Sequence, residues 1–349
     1  MQEHVSTVAV QPYKALALQL TCHAINACSN RAQAQEVISA TIERLGKQIR
    51  ASKGFLGHDV RLVVLPEYCL TGFPINESIE EWRNKAALDP NGKEYDTLGA
   101  IAQQNTVFLA GNVYETDQHF PDLYFQTSFV INPAGNVVLR YRRLISMFAP
   151  TPHDVWERYC EVYGLEAVFP VARTEIGALA CIASEEILYP EIARCHVMRG
   201  AEVFLHSSSE ISSPLLTHKN VAKLARAIEN LAYVVSANSA GIIGTDIPCA
   251  SVDGGSKVVD YRGIVLAEAG TGESMVASAT IDIEALRRER RRVGMANILA
   301  RQRFELFAAS YAQHSFYPAN TLLGKQADRA HFVRVQQETI ETLAKAGII

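Results

Sequence analysis

Apolar positions along the chain recur with two periods, and stretches of one period alternate with stretches of the other. Ala15-Leu16-Ala17-Leu18-Gln19-Leu20 and Arg61-Leu62-Val63-Val64-Leu65 are short and almost unbroken apolar runs, the pattern of buried strands. Pro66 halts the second, because proline has no N–H to give a ladder. Between the two runs, Ile38, Ile42, Leu45 and Ile49 fall at i, i+4, i+7 and i+11, one face of a helix. Asn30 with Gln33 resembles a capping box at its start. A further helix is expected over 95–104, then strands over 107–114, 124–131 and 137–141, the last two joined by a Pro133-Ala134-Gly135-Asn136 turn. After an irregular stretch, the pattern predicts a strand at 177–183, a helix at 190–199 and a strand at 203–206. Pro190 suits the first turn of that helix, where its missing N–H costs nothing. The next helix carries Val221, Leu224, Ala225, Ile228 and Leu231 as its apolar face and leads to a strand at 233–237. Two short strands, 257–260 and 275–281, and an arginine-rich helix follow.

Strands and helices that alternate, with several strands apolar throughout, predict an α/β fold in which helices cover layered sheets. No low-complexity linker or repeat divides it, so residues 13–296 are read as one domain and 297–349 as a C-terminal tail. The tail holds Phe304, Phe307, Tyr311, Phe316 and Tyr317 and then an amphipathic helix near 332–343. Such a tail needs a surface to dock on, either a partner subunit or its own domain.

Composition narrows the class without naming a function. The 349 residues are 48% hydrophobic and 20% charged with a net charge of −4, which gives no reason to expect nucleic acid or an anionic membrane as partner. The run Arg287, Arg288, Arg290, Arg291, Arg292 is locally basic and reads as a solvated helix face or subunit contact. Seven cysteines, scattered and with no CxxC pair, read as reduced thiols rather than a disulfide frame or zinc site. The first residues are polar and lack an apolar core, and no apolar run reaches the roughly 18 residues of a membrane span. A cytoplasmic protein with no metal and no cofactor is the expectation.

Three predicted strand ends concentrate chemistry. Leu65-Pro66-Glu67-Tyr68-Cys69-Leu70-Thr71-Gly72 places a carboxylate just beyond a buried strand, where desolvation can raise its pKa and fit it to act as a base. Tyr141-Arg142-Arg143 delivers a cation. Cys181-Ile182-Ala183-Ser184-Glu185-Glu186-Ile187-Leu188-Tyr189-Pro190-Glu191-Ile192-Ala193-Arg194 reads as strand, tight elbow and helix. Together with Arg226-Ala227-Ile228-Glu229-Asn230 and Asp260-Tyr261-Arg262-Gly263, these segments resemble the nitrilase superfamily of carbon–nitrogen hydrolases, over roughly residues 15–282. The resemblance implies a four-layer α-β-β-α sandwich that pairs into dimers or larger homo-oligomers. It also implies a small-molecule amide, nitrile or related ligand, a base in a Pro-Glu segment, a lysine in a Tyr-Arg-Lys segment and a cysteine nucleophile.

Glu67 maps onto the family's base, but Ser184 stands where the cysteine is expected and Arg143 where the lysine is. No lysine occurs between Lys93 and Lys219, so no local shift of alignment restores one. Cys181 lies three residues back on a strand, an odd offset that turns it to the opposite face and into the core. A serine hydroxyl is a far weaker acid than a thiol and must lose its proton during attack. Arginine can support an oxyanion beside a backbone N–H near Glu185, but it does not release a proton. Glu185 and Glu186 can pair with Arg143, Glu157 or Asp154 can supply a second acid from the loop over the pocket, and His206 at a strand end can line it or sit in the core. Two functions compete: an amidase-type hydrolase or acyl transferase with a Glu67-Arg143-Ser184 site, and a retired relative that only binds a ligand or partner. Serine hydrolases with a GxSxG elbow, HExxH metalloproteases and P-loop enzymes are disfavoured, since none of those motifs occurs.

Overall fold

A computed structural model describes residues 9–213, 215–325 and 327–349. In chain order its strands are β1 (Tyr13–Ala17), β2 (Leu20–His23), β3 (Val60–Val64), β4 (Phe108–Thr116), β5 (Tyr124–Ile131), β6 (Val137–Arg142), β7 (Ala172–Thr174), β8 (Gly177–Ala183), β9 (Val203–Ser207), β10 (Tyr233–Ala237), β11 (Ser239–Ile243), β12 (Lys257–Val259), β13 (Val265–Glu268) and β14 (Ser278–Ile281). The helices are α1 (Arg31–Leu56), α2 (Ile79–Ala86), α3 (Lys93–Asn105), α4 (Trp156–Tyr163), α5 (Pro190–Met198), α6 (His218–Asn230), α7 (Ile283–Arg291), α8 (Glu305–Gln313) and α9 (Arg329–Lys345).

Two mixed sheets form, in the orders β14-β1-β3-β4-β5-β6 and β13-β12-β10-β9-β8-β7. Strand parity sorts the side chains into layers. Leu62, Val64, Ala110 and Tyr141 of the first sheet pack against Leu179, Cys181, Ala183 and Leu205 of the second, making the inner core. The opposite face of the first sheet, with Val63, Leu109 and Phe129, meets Ile38, Ile42 and Leu45 of α1 and Leu98 of α3. The opposite face of the second, with Ala180, Ile182 and Phe204, meets Ala193 of α5 and Ala227 of α6. The order of layers is α-β-β-α. Two bonds knit the sheets where β3 and β9 end: Ser207 Oγ donates to Leu65 O at 2.8 Å and Glu67 N donates to Ser208 O at 3.2 Å.

Several expectations change in detail. The run 15–20 is not one strand: the chain leaves β1 at Ala17, and buried Gln19 donates to Gly270 O and Gly272 O and accepts from Ser256 N. Asn30 caps α1 through Gln33 N, while the Gln33 side chain turns back to Ser29 rather than completing a box. Helices α2 and α4 were not expected; Ser78 and Glu81 form a capping box for α2, a signal present in the sequence. The apolar stripe expected of α6 is met only in part: Leu231 is buried and Leu224 packs against the outer core of the second sheet. Val221 and Ile228 are exposed, and Ala222, Lys223, Arg226, Ala227 and Asn230 are buried, because internal acceptors satisfy the two cations. Of the arginine run, Arg287 pairs with Glu202 and Arg290 donates to Leu231 O and Ala201 O, so these two clamp the fold rather than face solvent. Phe332 and Val335 of α9 are buried, whereas α8 buries no residue. Residues 1–8, on which the reading of the chain's start rests, lie outside the described residues.

Candidate active site

Pro66 closes β3 and the next two residues turn sharply, with Tyr68 at φ +57°. This leaves Glu67 almost wholly buried at the seam between the sheets. Its Oε1 accepts from Gln126 Nε2 at 2.7 Å and from Arg143 Nη1 at 3.3 Å. Arg143 arrives from the end of β6, where its N–H still follows the ladder to Gln126 O at 2.9 Å. Its guanidinium is used densely: Nε donates to Ile145 O at 2.7 Å, Nη1 to Gln126 Oε1 at 2.8 Å, and Nη2 pairs with Glu185. Burial works against the Arg143 charge, but Tyr68, Glu67, Glu185 and Glu186 outweigh it and hold its pKa above the ordinary arginine value.

The elbow begins where β8 ends. Ser184 adopts φ +48°, a left-handed conformation that costs a β-carbon residue about 1–2 kcal/mol and must be held by its surroundings. Two buried groups hold it. His206, from β9, meets Ser184 O through Nε2 and Ser236 Oγ through Nδ1, each at 2.8 Å. A carbonyl only accepts, so Nε2 carries the proton and Nδ1 receives the Ser236 hydroxyl. Burial, with help from Lys223, keeps the His206 pKa well below the usual histidine value, so the ring is neutral. Glu186 accepts from four donors: Leu144 N at 2.7 Å, Ile145 N at 3.1 Å, Tyr141 Oη at 2.8 Å and Ala183 N at 3.2 Å. It thereby staples the segment after β6 to the elbow. Burial pushes its pKa up to about 7, against the pull of Arg143 and these donors.

The hydroxyl of Ser184 meets a group that the sequence reading passed over. Lys219 Nζ lies 3.0 Å from Ser184 Oγ. Lys219 sits in the first turn of α6, and no pattern in the linear sequence shows that it returns to an elbow 35 residues earlier. Gln126 was likewise missed as a site residue, and Glu186, expected to pair with Arg143, instead binds Tyr141 Oη and the backbone around the elbow. Gln126 sits mid-strand and faces the site only because β5 lies between β4 and β6.

The structure therefore gathers Glu67, Arg143 and Glu185 into one charged network and sets Ser184 beside Lys219. Among the described residues no hydrogen bond joins Ser184 Oγ to Glu67, the partner expected as its base. His206 supports the elbow's backbone from within the core rather than lining a pocket. Asp154 is a cap: Oδ2 accepts from Thr151 N and Thr151 Oγ1, and Oδ1 accepts from Thr321 Oγ1. Glu157 is exposed on α4. Cys181 lies in the inner core, where burial raises its thiol pKa and leaves it inert.

A family model for carbon–nitrogen hydrolases matches residues 17–291. The omega-amidase NIT3 of Saccharomyces cerevisiae is 25% identical over 256 residues, 72% of this chain and 83% of that protein. The 2-oxoglutaramate amidase of Bacillus subtilis is 28% identical over 225 residues, 64% of this chain and 78% of that protein. Crystalline Nit3 of S. cerevisiae, a nitrilase superfamily member, superposes with a TM-score of 0.62 at 22% identity, covering 83% of this chain and 97% of that one. The chain belongs to the carbon–nitrogen hydrolase family.

Proposed function

We propose that this carbon–nitrogen hydrolase family member hydrolyses a small amide or nitrile, or transfers its acyl group, with Ser184 as nucleophile. The observation that carries the reading is the left-handed Ser184, poised at the end of a buried strand with its hydroxyl 3.0 Å from Lys219 Nζ. Strained elbows of this type present a nucleophile to substrate while neighbouring donors meet the developing oxyanion. Arg143 has five N–H groups, and its bonds to Ile145, Gln126, Glu67 and Glu185 leave one on Nη2 for a substrate oxygen. In this reading Glu67 fixes the position of Arg143, and the Glu185 N–H adds to the oxyanion site.

The dense use of Arg143 also favours a second reading, a ligand-binding protein without turnover. We further propose a homodimer formed through the exposed stripe of α6, since Val221 and Ile228 stand in solvent on an otherwise well-anchored helix. The cysteines are unpaired among the described residues, which supports a reducing, cytoplasmic location. The test is ammonia release from a panel of small amides, nitriles and carbamoyl compounds by the parent, Ser184→Ala and Ser184→Cys. Release by the parent that Ser184→Ala abolishes supports the hydrolase. Ligand-dependent thermal stabilisation with no release from the parent favours the second reading.

A further inference from the structure

We infer that Lys219 is the proton acceptor for Ser184, a role that rests on Ser184 being the nucleophile. Of the titratable groups around the elbow, Lys219 is the one that hydrogen-bonds Ser184 Oγ among the described residues. Glu67 Oε1 is bound by Gln126 and Arg143, Glu185 Oε1 by Arg143, Glu186 by Leu144 N, Ile145 N, Tyr141 Oη and Ala183 N, and both His206 nitrogens by Ser184 O and Ser236 Oγ. Arginine at position 143 does not give up or take a proton at accessible pH. Lys219 Nζ, 3.0 Å from Ser184 Oγ, is within the reach a general base needs.

The contact is built by the fold rather than by a loose surface side chain. Thr217 caps α6 by accepting from Asn220 N at 3.2 Å, and its hydroxyl bonds Glu210. Glu210 also receives Lys223 Nζ at 2.8 Å, and the Lys223 side chain is fully buried. One turn further on, Arg226 donates to Ile187 O at 2.9 Å and Leu188 O at 3.0 Å, which are elbow carbonyls. Helix α6 and the elbow thus form one hydrogen-bonded unit, and Lys219 starts from a turn whose place is fixed by buried polar groups. The lysine lost from the end of β6 is replaced, in space, by a lysine from another element.

The step balances as follows. Ser184 Oγ forms a bond to the amide carbonyl carbon, and the carbonyl π pair moves onto oxygen. The hydroxyl proton passes to the Lys219 amine nitrogen. The resulting ammonium returns that proton to the amide nitrogen as the C–N bond breaks, releasing ammonia and leaving acyl-Ser184. Water then attacks the acyl carbon; Lys219 takes a proton from the water and delivers it to Ser184 Oγ as the ester bond breaks. No other reactant is consumed.

The test follows the acylation phase with p-nitrophenyl acetate, by nitrophenolate burst and by the acetyl mass on the Ser184 peptide. It compares the parent, Ser184→Ala, Lys219→Met, Lys219→Arg and Lys219→Ala with added ethylamine, with thermal melts to confirm that each variant folds. Lys219→Met and Lys219→Arg are expected to slow acylation by about 10²–10⁴-fold, the usual size of general-base catalysis, and ethylamine to restore part of the Lys219→Ala rate. A parent that acetylates Ser184 while Lys219→Met stays within about twofold overturns Lys219 and leaves Ser184 standing. A Lys219→Arg rate equal to the parent's reduces the role to charge and also overturns proton transfer. No adduct on Ser184 in the parent overturns the nucleophile, and the inference with it.

Discussion

Replacing Arg143 by methionine is the sharpest perturbation of the charged network. The side chain is almost wholly buried, and Glu67, its partner at 3.3 Å, is more buried still. Without the guanidinium, Glu67 keeps the 2.7 Å bond from Gln126 but loses its countercharge, and Ile145 O loses a 2.7 Å donor. The Glu185 side chain is 37% exposed, so water can replace its partner and little stability is lost there. Breaking a buried ion pair by removing one partner costs about 3–5 kcal/mol, and the charge left unpaired at Glu67 dominates that cost. Arg143→Met should therefore lose about 4 kcal/mol, shifting a urea midpoint by roughly 1 M or more. Glu67→Gln combined with Arg143→Met removes both charges and should recover about 2 kcal/mol of that loss. The assay is urea unfolding of the parent, both single variants and the double, read as a double-mutant cycle. A loss below about 1 kcal/mol in Arg143→Met, or strictly additive single effects, would refute the view that these groups form one interdependent unit.

Other consequences are open to direct measurement. Glu186 carries a folded-state pKa raised to about 7, so the folded protein holds a proton that the unfolded chain has released. Its contribution should favour folding at acid pH and fall as pH rises from about 4.3 to about 7. The difference in unfolding free energy between the parent and Glu186→Gln should slope downward across that window; a flat difference would remove the linkage. Lys223→Met should cost about 3–5 kcal/mol in chemical denaturation by stranding Glu210, although Lys223 lies on a solvent-side helix; a loss within about 0.5 kcal/mol would contradict its burial. Ile228→Asp, at an exposed position, should leave the melting temperature near the parent's while lowering the molecular mass seen by light scattering to that of a monomer. An unchanged assembly would remove the α6 stripe as the dimer contact.

What the sequence made legible follows from range. Period-two and period-3.6 patterns are local, so the alternating strands and helices, and with them the layered fold, could be read from neighbouring positions. Strand parity likewise sent Cys181 to the core, where it is found. Burial of charge escaped the pattern. The buried face of α6 was read only in part, because Lys223 and Arg226 count as polar until Glu210 and the elbow carbonyls are known to receive them. Lys219 escaped for a related reason: its contact spans two elements, and one-dimensional spacing gives no direction for a flexible side chain at a helix start. Gln126 was one polar residue inside a strand and gained meaning only when the ends of β3 and β6 brought Glu67 and Arg143 to it.

The account turns on Ser184 making a covalent bond. The most direct measurement is rapid acid quench of the parent during turnover of whichever small amide releases ammonia, followed by peptide mapping by mass spectrometry. The account predicts an acyl group on the peptide containing Ser184 and none on that peptide in Ser184→Ala. Ammonia release with an acyl group on a cysteine, or undiminished release by Ser184→Ala, would contradict it.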